Sequence, residues 1–255
     1  MIERIDPAEE QLDSPLGRVS PVLKLAITLA WLIGLFLTTE ILPALVLAGI
    51  AVAATLVLGY VPIRTLGRGL APLWIAALAI GLLNALFSAA NADPSLAELT
   101  RIGPFRLTEP GVLAGIGLAA RVLAIAAVGV LFAQTTDATR LVDSLVQQLR
   151  VPERFGYGAL AAYQAVPRFA EDLTALRQAR RIRGLRGGWH PRLLVGLLVL
   201  AIRHADRKAL AMDARAFGTA PRSSYRPIGW RLVDLGAVVV GLVVLAVIVL
   251  LPAYA

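Results

Sequence analysis

Residues 235–251 read LGAVVVGLVVLAVIVLL, without one charged or hydrogen-bonding side chain. A helix that crosses the roughly 30 Å hydrocarbon core of a bilayer needs about 20 apolar residues, and runs of about 17 to 25 qualify. With the residues that precede it, the run extends over 228–251. The stretch therefore predicts a membrane-spanning helix, and its neighbours decide how many more there are.

Further apolar runs recur towards the amino terminus. Apolar residues make up 58% of the 255-residue chain, and the mean hydropathy is +0.73, values far above those of a soluble domain. The predicted spans are 24–38, 41–59, 70–88, 111–133 and 228–251. The predicted fold class is an all-α polytopic membrane protein with about five transmembrane helices.

Charge predicts the orientation of these spans. The segment 134–227 holds sixteen Lys or Arg and seven Asp or Glu, and the loop 58–70 carries Arg64 and Arg68 without an acidic residue. The loop 89–110 has three acidic residues against two arginines. Because positive residues stay on the cytoplasmic side, we expect a cytoplasmic amino terminus and an external carboxyl terminus.

The same pattern divides the chain into three parts. Residues 1–133 form an amino-terminal cytoplasmic segment and four spans, 134–227 form a cytoplasmic helical unit, and 228–255 form the last span and an external tail. Within the unit, Asp137 is placed to cap a helix that ends near residue 149. Helices are also predicted over 155–183, with Pro167 as a point of bending, and over 192–217.

Catalytic and cofactor signatures are missing from the sequence. There is no cysteine, and Lys24 and Lys208 lack the preceding glycine of a phosphate-binding loop. His190 and His204 have no metal-ligand spacing. Gly115 begins a stretch like a dinucleotide fingerprint, but it lies inside a span, so with Gly111 we interpret it as a surface for close helix packing. We therefore expect no catalytic residue, cofactor or metal, and no nucleic-acid partner.

Arg121 lies midway along the fourth span. A charge at that depth is costly and must face a cavity, a partner or the bundle interior. Two interpretations stay open. Arg121 is either a contact site for a substrate-carrying partner or for an acidic residue of the bundle, or a structural arginine that backbone carbonyls or snorkelling to the interface satisfy.

The strongest signal is a pair of short segments in the basic part of the chain. They read QARRIRG at 178–184 and DARAFG at 213–218, so that Arg180 and Arg215 are 35 residues apart. Each is predicted to place Ala-Arg in the last turn of a helix, just before a glycine. One such ending is explained by the helix dipole. Two on neighbouring helices indicate a docking device, since a small residue allows close approach and arginine offers a forked cation.

These segments resemble the paired Ala-Arg motifs of the transmembrane T component of energy-coupling factor transporters. The resemblance extends to YQAVPRF at 163–169 and to SPVLKL at 20–25. It implies a bacterial inner-membrane protein that joins two cytoplasmic ABC-type ATPases to a membrane S component, for uptake of a vitamin or metal ion. The ATPase-docking residues that it implies are Ala179, Arg180, Arg181, Ala214, Arg215 and Ala216. The third position of each motif, often glycine in the family, is Arg181 or Ala216 here, and the register of the first motif stays open.

Another class of function is also compatible with the spans. A permease with its own substrate site, or a membrane-embedded enzyme, would need polar midplane residues or acidic and histidine clusters. The spans hold Arg121, Asn84 and little else that is polar. This pattern favours a coupling subunit over the alternative.

Overall fold

The computed structural model of the protein describes residues 13–93, 95–103, 105–185, 190–219 and 226–251. The predicted external tail after residue 251 lies outside these ranges. The helices are α1 (Pro15–Arg18), α2 (Pro21–Leu37), α3 (Ile41–Val57), α4 (Ile63–Leu86), α5 (Glu109–Thr135), α6 (Ala138–Gln148), α7 (Glu153–Tyr163), α8 (Ala165–Ile182), α9 (Arg192–Asp213) and α10 (Leu232–Leu250). A 3-10 helix (Ala89–Ala92) and the strands β1 (Glu98–Ile102) and β2 (Phe105–Thr108) lie between α4 and α5.

The chain folds as two compact units. The first, here called the apolar bundle, comprises the described residues of Ile5–Leu141 and Gly229–Ala255. The second, here called the basic unit, comprises the described residues of Val142–Ile228. Each is described by itself below.

The helices of the apolar bundle have the lengths that membrane crossing requires. Within the described ranges, three helical stretches are long and apolar enough to span: Ile63–Ala92, Glu109–Thr135 and Leu232–Leu250. The helices α2 and α3 are equally apolar but have 17 residues each. The prediction of an all-α polytopic membrane protein is confirmed.

The start of the third span differs from its prediction. The sequence placed Arg64 and Arg68 in a loop before residue 70, whereas α4 begins at Ile63 and carries both arginines in its first two turns. The Pro62 carbonyl accepts the first helical hydrogen bond, from the Leu66 N–H at 3.1 Å, and arginine is a good helix former. The hydropathy of the chain marks where the lipid begins and does not mark where the helix begins.

Close backbone contact joins α4 to α5. A Cβ atom added to Gly115 would lie 2.5 Å from the carbonyl oxygen of Gly81 and 2.7 Å from the Cβ of Ala85. At Gly111, an added Cβ would lie 2.5 Å from the Oδ1 of Asn91. The predicted close helix packing is therefore confirmed at Gly115, whereas Gly111 meets the Asn91 side chain, which lies outside α4. Small residues let two backbones approach where lipid gives no hydrophobic drive for helix association.

The buried core of the bundle lies between α2, α3, α5 and α10. Its side chains are mostly small or aliphatic, such as Ala44, Leu47, Val128 and Ile248. Trp31 is an exception, and its indole Nε1 donates a hydrogen bond of 2.9 Å to the carbonyl of Gly241 on α10. The bond satisfies a buried donor and links the first span to the last.

Polar contacts join the ends of three helices of the bundle. The buried Lys24 ammonium of α2 donates to the carbonyl of Thr135, the last residue of α5. The Asp234 carboxylate of α10 accepts 2.8 Å hydrogen bonds from the backbone N–H groups of Ser20 and Arg231. A cation at a helix carboxyl end and an anion at an amino end both match the helix dipole.

The region 89–110 holds a hairpin where the sequence predicted a loop. The strands β1 and β2 pair antiparallel, and Gly103 supplies a positive φ of 60° at the turn. Asn91 Oδ1 accepts hydrogen bonds from the N–H (3.0 Å) and the hydroxyl (2.9 Å) of Thr108, which fixes the hairpin to the start of α5. At the exposed edge, hydrogen bonds from the Ser95 hydroxyl and N–H lower the pKa of Asp93.

The basic unit departs from its predicted helices at two places. The predicted helix 155–183 is two helices, α7 and α8, which meet at Gln164. Pro167 has no N–H for the carbonyl of Tyr163 and crowds it, so α7 ends at Tyr163. The predicted helix 192–217 ends earlier, at Asp213. The cause is the left-handed backbone of Ala216 in the second Ala-Arg segment. The predicted cap by Asp137 is present, as its carboxylate accepts a 2.9 Å bond from the Arg140 N–H.

Candidate functional site

The first Ala-Arg segment closes the carboxyl end of α8. Arg180 and Arg181 lie in its last turn, as the sequence predicted, and the helix ends at Ile182, one residue before the predicted end at 183. Gly184 has a φ of +73°, and its N–H donates to the Arg181 carbonyl at 3.0 Å. The N–H of Leu185 donates to the Arg180 carbonyl at 3.1 Å. This is the Schellman closure, in which a left-handed residue, usually glycine, ends the helix.

The second segment closes α9 in the same way, but with alanine in the left-handed position. Ala216 has a φ of +54°, and its N–H donates to the Asp213 carbonyl at 2.9 Å. The N–H of Phe217 donates to the Met212 carbonyl at 3.0 Å. This left-handed turn ends α9 before residue 217, so that Ala214 and Arg215 follow the last helical residue instead of lying inside the helix.

An alignment of the two segments on the left-handed residue that closes each helix differs from an alignment on their Ala-Arg pairs. Arg215 directly precedes the left-handed Ala216, and Arg183 directly precedes the left-handed Gly184. Arg180 lies three residues before Arg183, inside α8. By position at the helix end, the counterpart of Arg215 is therefore Arg183.

Exposure separates the arginines further. Arg181, Arg183 and Arg215 are exposed, as are the alanines Ala179, Ala214 and Ala216. Arg180 is half-buried, and its Nε is buried without a hydrogen-bond partner among the described residues. A buried N–H without an acceptor is costly, and the exposed arginines do not bear this cost because water satisfies their N–H groups.

Two exposed aliphatic side chains accompany the segments, and sequence reasoning missed them. Ile182 is 87% exposed and follows Ala179 by three residues, so the two share a helix face. Leu210 is 69% exposed and precedes Ala214 by one turn. The sequence feature that could have indicated this exposed site is Ile182 itself, an isoleucine between two arginines at a helix end. Each segment thus combines a cation, a small residue and an aliphatic side chain.

Contacts between α8 and α9 fix the positions of the two segments relative to each other. His204 Nε2 of α9 lies 3.2 Å from Asp172 Oδ2 of α8. A Cβ atom added to Gly196 would meet the Leu176 side chain at 3.3 Å, so the helices pack closely there. The histidine that the sequence left without a metal partner is thus part of the contact between these helices.

The segment after α9 is also attached to α7. The ring of Phe217, which belongs to the second Ala-Arg segment, meets the ring of Tyr157 edge to face, with centroids 6.4 Å apart. The Tyr157 hydroxyl donates a 2.9 Å bond to Asp143 of α6. Lys208 Nζ of α9 donates a 2.9 Å bond to the Ala161 carbonyl of α7. Aromatic and polar contacts therefore position the second segment on α7.

Arg121 lies apart from both segments, in the apolar bundle. Its guanidinium donates to the carbonyl of Thr38, the residue that follows α2. Its Nε is buried without a hydrogen-bond partner among the residues that the structure describes. The last carbonyls of a helix lack intrahelical donors and attract cations. This geometry favours the interpretation of Arg121 as a structural arginine.

In the described ranges, no group of three or more His, Cys, Asp or Glu residues is positioned to hold a metal ion. The other histidine, His190, accepts a 3.1 Å hydrogen bond at Nδ1 from the Arg192 N–H at the start of α9.

A sequence model of one protein family, described as CbiQ, Cobalt transport protein, matches residues 13–225. The chain belongs to this CbiQ family. Both Ala-Arg segments and four of the five predicted spans lie within the match. The family is one of transport proteins, so the CbiQ-family chain is a membrane subunit of a transport system.

Curated relatives of the CbiQ-family chain have consistent names. An energy-coupling factor transporter transmembrane protein EcfT from Heliobacterium modesticaldum is 30% identical over 234 residues, which cover 85% of each chain. The EcfT protein of Bacillus subtilis is 26% identical over 246 residues, which cover 90% of each chain. The resemblance to T components that the sequence predicted is confirmed.

A third relative has a different name. A putative ABC transporter ATP-binding protein from Bifidobacterium longum is 25% identical over 242 residues. The match covers 88% of this chain but only 30% of that relative. A region like this whole chain is therefore part of a longer protein there.

Proposed function

We propose that the chain is the coupling subunit of an energy-coupling factor importer. In this proposal it links two cytoplasmic ABC-type ATPases to a small S component that carries a vitamin or metal ion. The chain itself hydrolyses no ATP. The observation that carries the proposal is the pair of similarly closed helix ends, each of which presents an arginine, a small residue and an exposed aliphatic side chain.

The chemistry of these helix ends suits docking to a groove on another protein. Arginine donates in a fork to carboxylates and carbonyls, and it is enriched where interface energy is concentrated. An exposed aliphatic residue such as Ile182 or Leu210 contributes binding when a partner covers it. Two ends on two contacting helices fit two ATPase subunits, one groove each.

The relative from Bifidobacterium longum supports an ATPase partner. It is called an ATP-binding protein, although less than a third of it matches this chain, whose own sequence has no phosphate-binding loop. We infer that a region like this chain and an ATP-binding part share one polypeptide there. Fusion of these two parts in one protein is expected if separate chains of the same two kinds work together in one complex in other organisms.

The mechanism needs a basic unit that moves as one piece. When ATP closes two ATPase subunits, the two docked helix ends must shift together, and the pair His204–Asp172 and the contact Gly196–Leu176 resist their separation. Within the basic unit, the Gln147 side chain binds the Arg226 carbonyl and the Ile228 N–H, each at 2.9 Å. Gln147 and Ile228 lie near the two points where the chain passes to the apolar bundle. We expect motion of the basic unit to reach the bundle through both of these connections together.

Orientation completes the proposal. The basic unit lies in the bacterial cytoplasm, where ATP is found, and the carboxyl terminus lies outside. The excess of arginine in 134–227 supports this side by the positive-inside rule. The S component contacts the apolar bundle, which is the part of the chain that lipid surrounds.

Charge reversal at the helix ends tests the docking. The chain is expressed with its two candidate ATPases, and tagged chain is purified from solubilised membranes. Arg215→Glu, and Arg180→Glu combined with Arg183→Glu, should each weaken recovery of the ATPases, since loss of one partner of a desolvated charged contact costs about 2–5 kcal/mol. All three changes together should nearly abolish recovery, because joint attachment is lost.

A matched control separates docking from general charge. Arg203→Glu with Arg207→Glu changes the net charge by the same amount as the first-segment pair, on the exposed surface of α9. This variant should recover the ATPases normally. Undiminished recovery with the triple variant, at equal membrane levels, would refute the docking role.

A further inference from the structure

A groove runs along the outside of the apolar bundle between α3 and α4. It has a volume of about 560 Å³ and is lined by apolar side chains. Buried Leu66 and Leu70 form its floor, while Ile63, Trp74 and Leu78 are more than half exposed along it. None of the residues that line it belongs to the Ala-Arg segments.

The groove is longer than the hydrocarbon of one leaflet is deep. Its α4 residues extend from Ile63 to Leu78, which at 1.5 Å per residue is about 22 Å of helix. One leaflet of a bilayer contributes about 15 Å of hydrocarbon, half of the roughly 30 Å core. A lipid chain that enters at the end of the groove near Ile63 can therefore lie in it along its whole depth.

Gly67 opens this groove. It lies within α4 and lines the groove, and a Cβ atom added there would meet no atom within 4 Å. Glycine inside a helix costs about 1 kcal/mol relative to alanine, and no close helix contact accounts for it here. Its effect on shape is to leave room beside the floor residue Leu66.

Two arginines stand beside one end of the groove. Arg64 precedes the lining residues Gly67 and Ala71 by three and seven positions, and Arg68 precedes Ala71 and Ile75 by the same intervals. Residues at these spacings share a helix face. Both arginines are exposed in the first two turns of α4. The 24 residues of this helix are about 36 Å long, so these turns reach the membrane surface.

We infer that this groove is a binding site for one anionic phospholipid, with its acyl chain between α3 and α4 and its phosphate at Arg64 and Arg68. Ordinary lipid covers any apolar helix face, but it needs neither a concave seat nor paired cations. Arginine binds phosphate in a fork, and each basic residue near an anionic surface contributes a factor of about five in affinity. The site is independent of the docking ends, so its test does not depend on the proposed function.

Lipid counting by native mass spectrometry tests this site. The full chain, purified in detergent, is titrated with dioleoylphosphatidylglycerol or with dioleoylphosphatidylcholine. The unaltered chain should bind the first lipid more tightly. Arg64→Gln with Arg68→Gln should reduce that preference about fivefold per arginine, while Arg203→Gln with Arg207→Gln, exposed on α9, should not change it.

Filling the groove tests the seat of the acyl chain. Gly67→Leu should weaken binding of both lipids, and Ala71→Leu, which fills the same groove, serves as a second variant if the first folds poorly. Gly49→Leu is the matched control, since Gly49 of α3 also has open space around it but does not line the groove. Inorganic phosphate should not displace the lipid, because it supplies no acyl chain.

Four results would overturn the inference. Equal binding of both lipids by the unaltered chain would exclude charge recognition. An unchanged preference in the Arg64 and Arg68 variant would place the headgroup elsewhere. Full binding by both groove-filling variants, or displacement by inorganic phosphate, would show that the groove does not hold the chain.

Discussion

Arg183 and Arg215 occupy the same position at two helix ends, each directly before a residue with a left-handed backbone. The left-handed residue is Gly184 at φ +73° in one case and Ala216 at φ +54° in the other. The side chains of both arginines are exposed. Arg180, which the letters of the sequence pair with Arg215, lies one turn earlier and is half-buried.

This relationship leads to a prediction about the register of the first segment. If position at the helix end decides docking, Arg183→Glu should release the ATPases to the same extent as Arg215→Glu, by about 2–5 kcal/mol. Arg180→Glu alone should have a smaller effect. Recovery of the ATPases with each single variant measures this. A larger loss with Arg180→Glu than with Arg183→Glu would show that the Ala-Arg letters mark the anchor.

Ala216→Gly should stabilise the second helix end. A left-handed backbone costs a residue with a Cβ about 1–2 kcal/mol, and glycine avoids this cost. Amide hydrogen exchange of residues 210–219 should slow by about fivefold, the factor that about 1 kcal/mol represents. The same change at Ala179, a right-handed position in α8, should speed exchange of its own last turn, because glycine weakens a helix. Faster exchange in the Ala216→Gly protein would contradict the observed closure.

Gly115→Ala should destabilise the apolar bundle. The added methyl group would lie 2.5 Å from the Gly81 carbonyl, so the backbones of α4 and α5 must separate, at a cost of about 1–3 kcal/mol. The thermal unfolding midpoint of the purified chain should fall. Gly129→Ala is the control on the same helix, since its added methyl group meets no atom within 4 Å, and its midpoint should be unchanged or higher. Equal midpoints for the two variants would refute tight packing at Gly115.

Orientation is predicted from charge and can be measured with reporters. A reporter fused after residue 255 should report the external side, and one inserted between residues 185 and 190 should report the cytoplasm. Their separation follows from the excess of basic residues in 134–227. Reporters on the same side of the membrane would disprove an odd number of crossings between them.

Much of the architecture could be predicted because it depends on local composition. The long apolar runs identified the spanning helices, and Gly115 identified a packing surface, since both signals are local in the chain. The errors share a cause as well. The start of α4 at Ile63 depends on helix capping, and the hairpin of 98–108 depends on strand pairing. Hydropathy reports neither of these.

The candidate site was also predicted only in its local features. The letters identified two arginine-bearing helix ends, because glycine and basic residues near a helix stop are local signals. They could not show that Ala216 adopts the left-handed position, that Ile182 and Leu210 lie exposed, or that Phe217 packs on Tyr157. These features depend on which neighbours each backbone and side chain meets.

Composition and charge by themselves determined that this protein is a helical membrane protein with one basic segment, because bilayer thickness and membrane orientation act on stretches of sequence. Only the tertiary structure decided that Arg121 donates to the carbonyl of Thr38 and that His204 meets Asp172. Such contacts join residues that lie 83 and 32 positions apart. A contact of this kind exists only after the helices have packed, because packing alone brings a donor on one helix within reach of an acceptor on another.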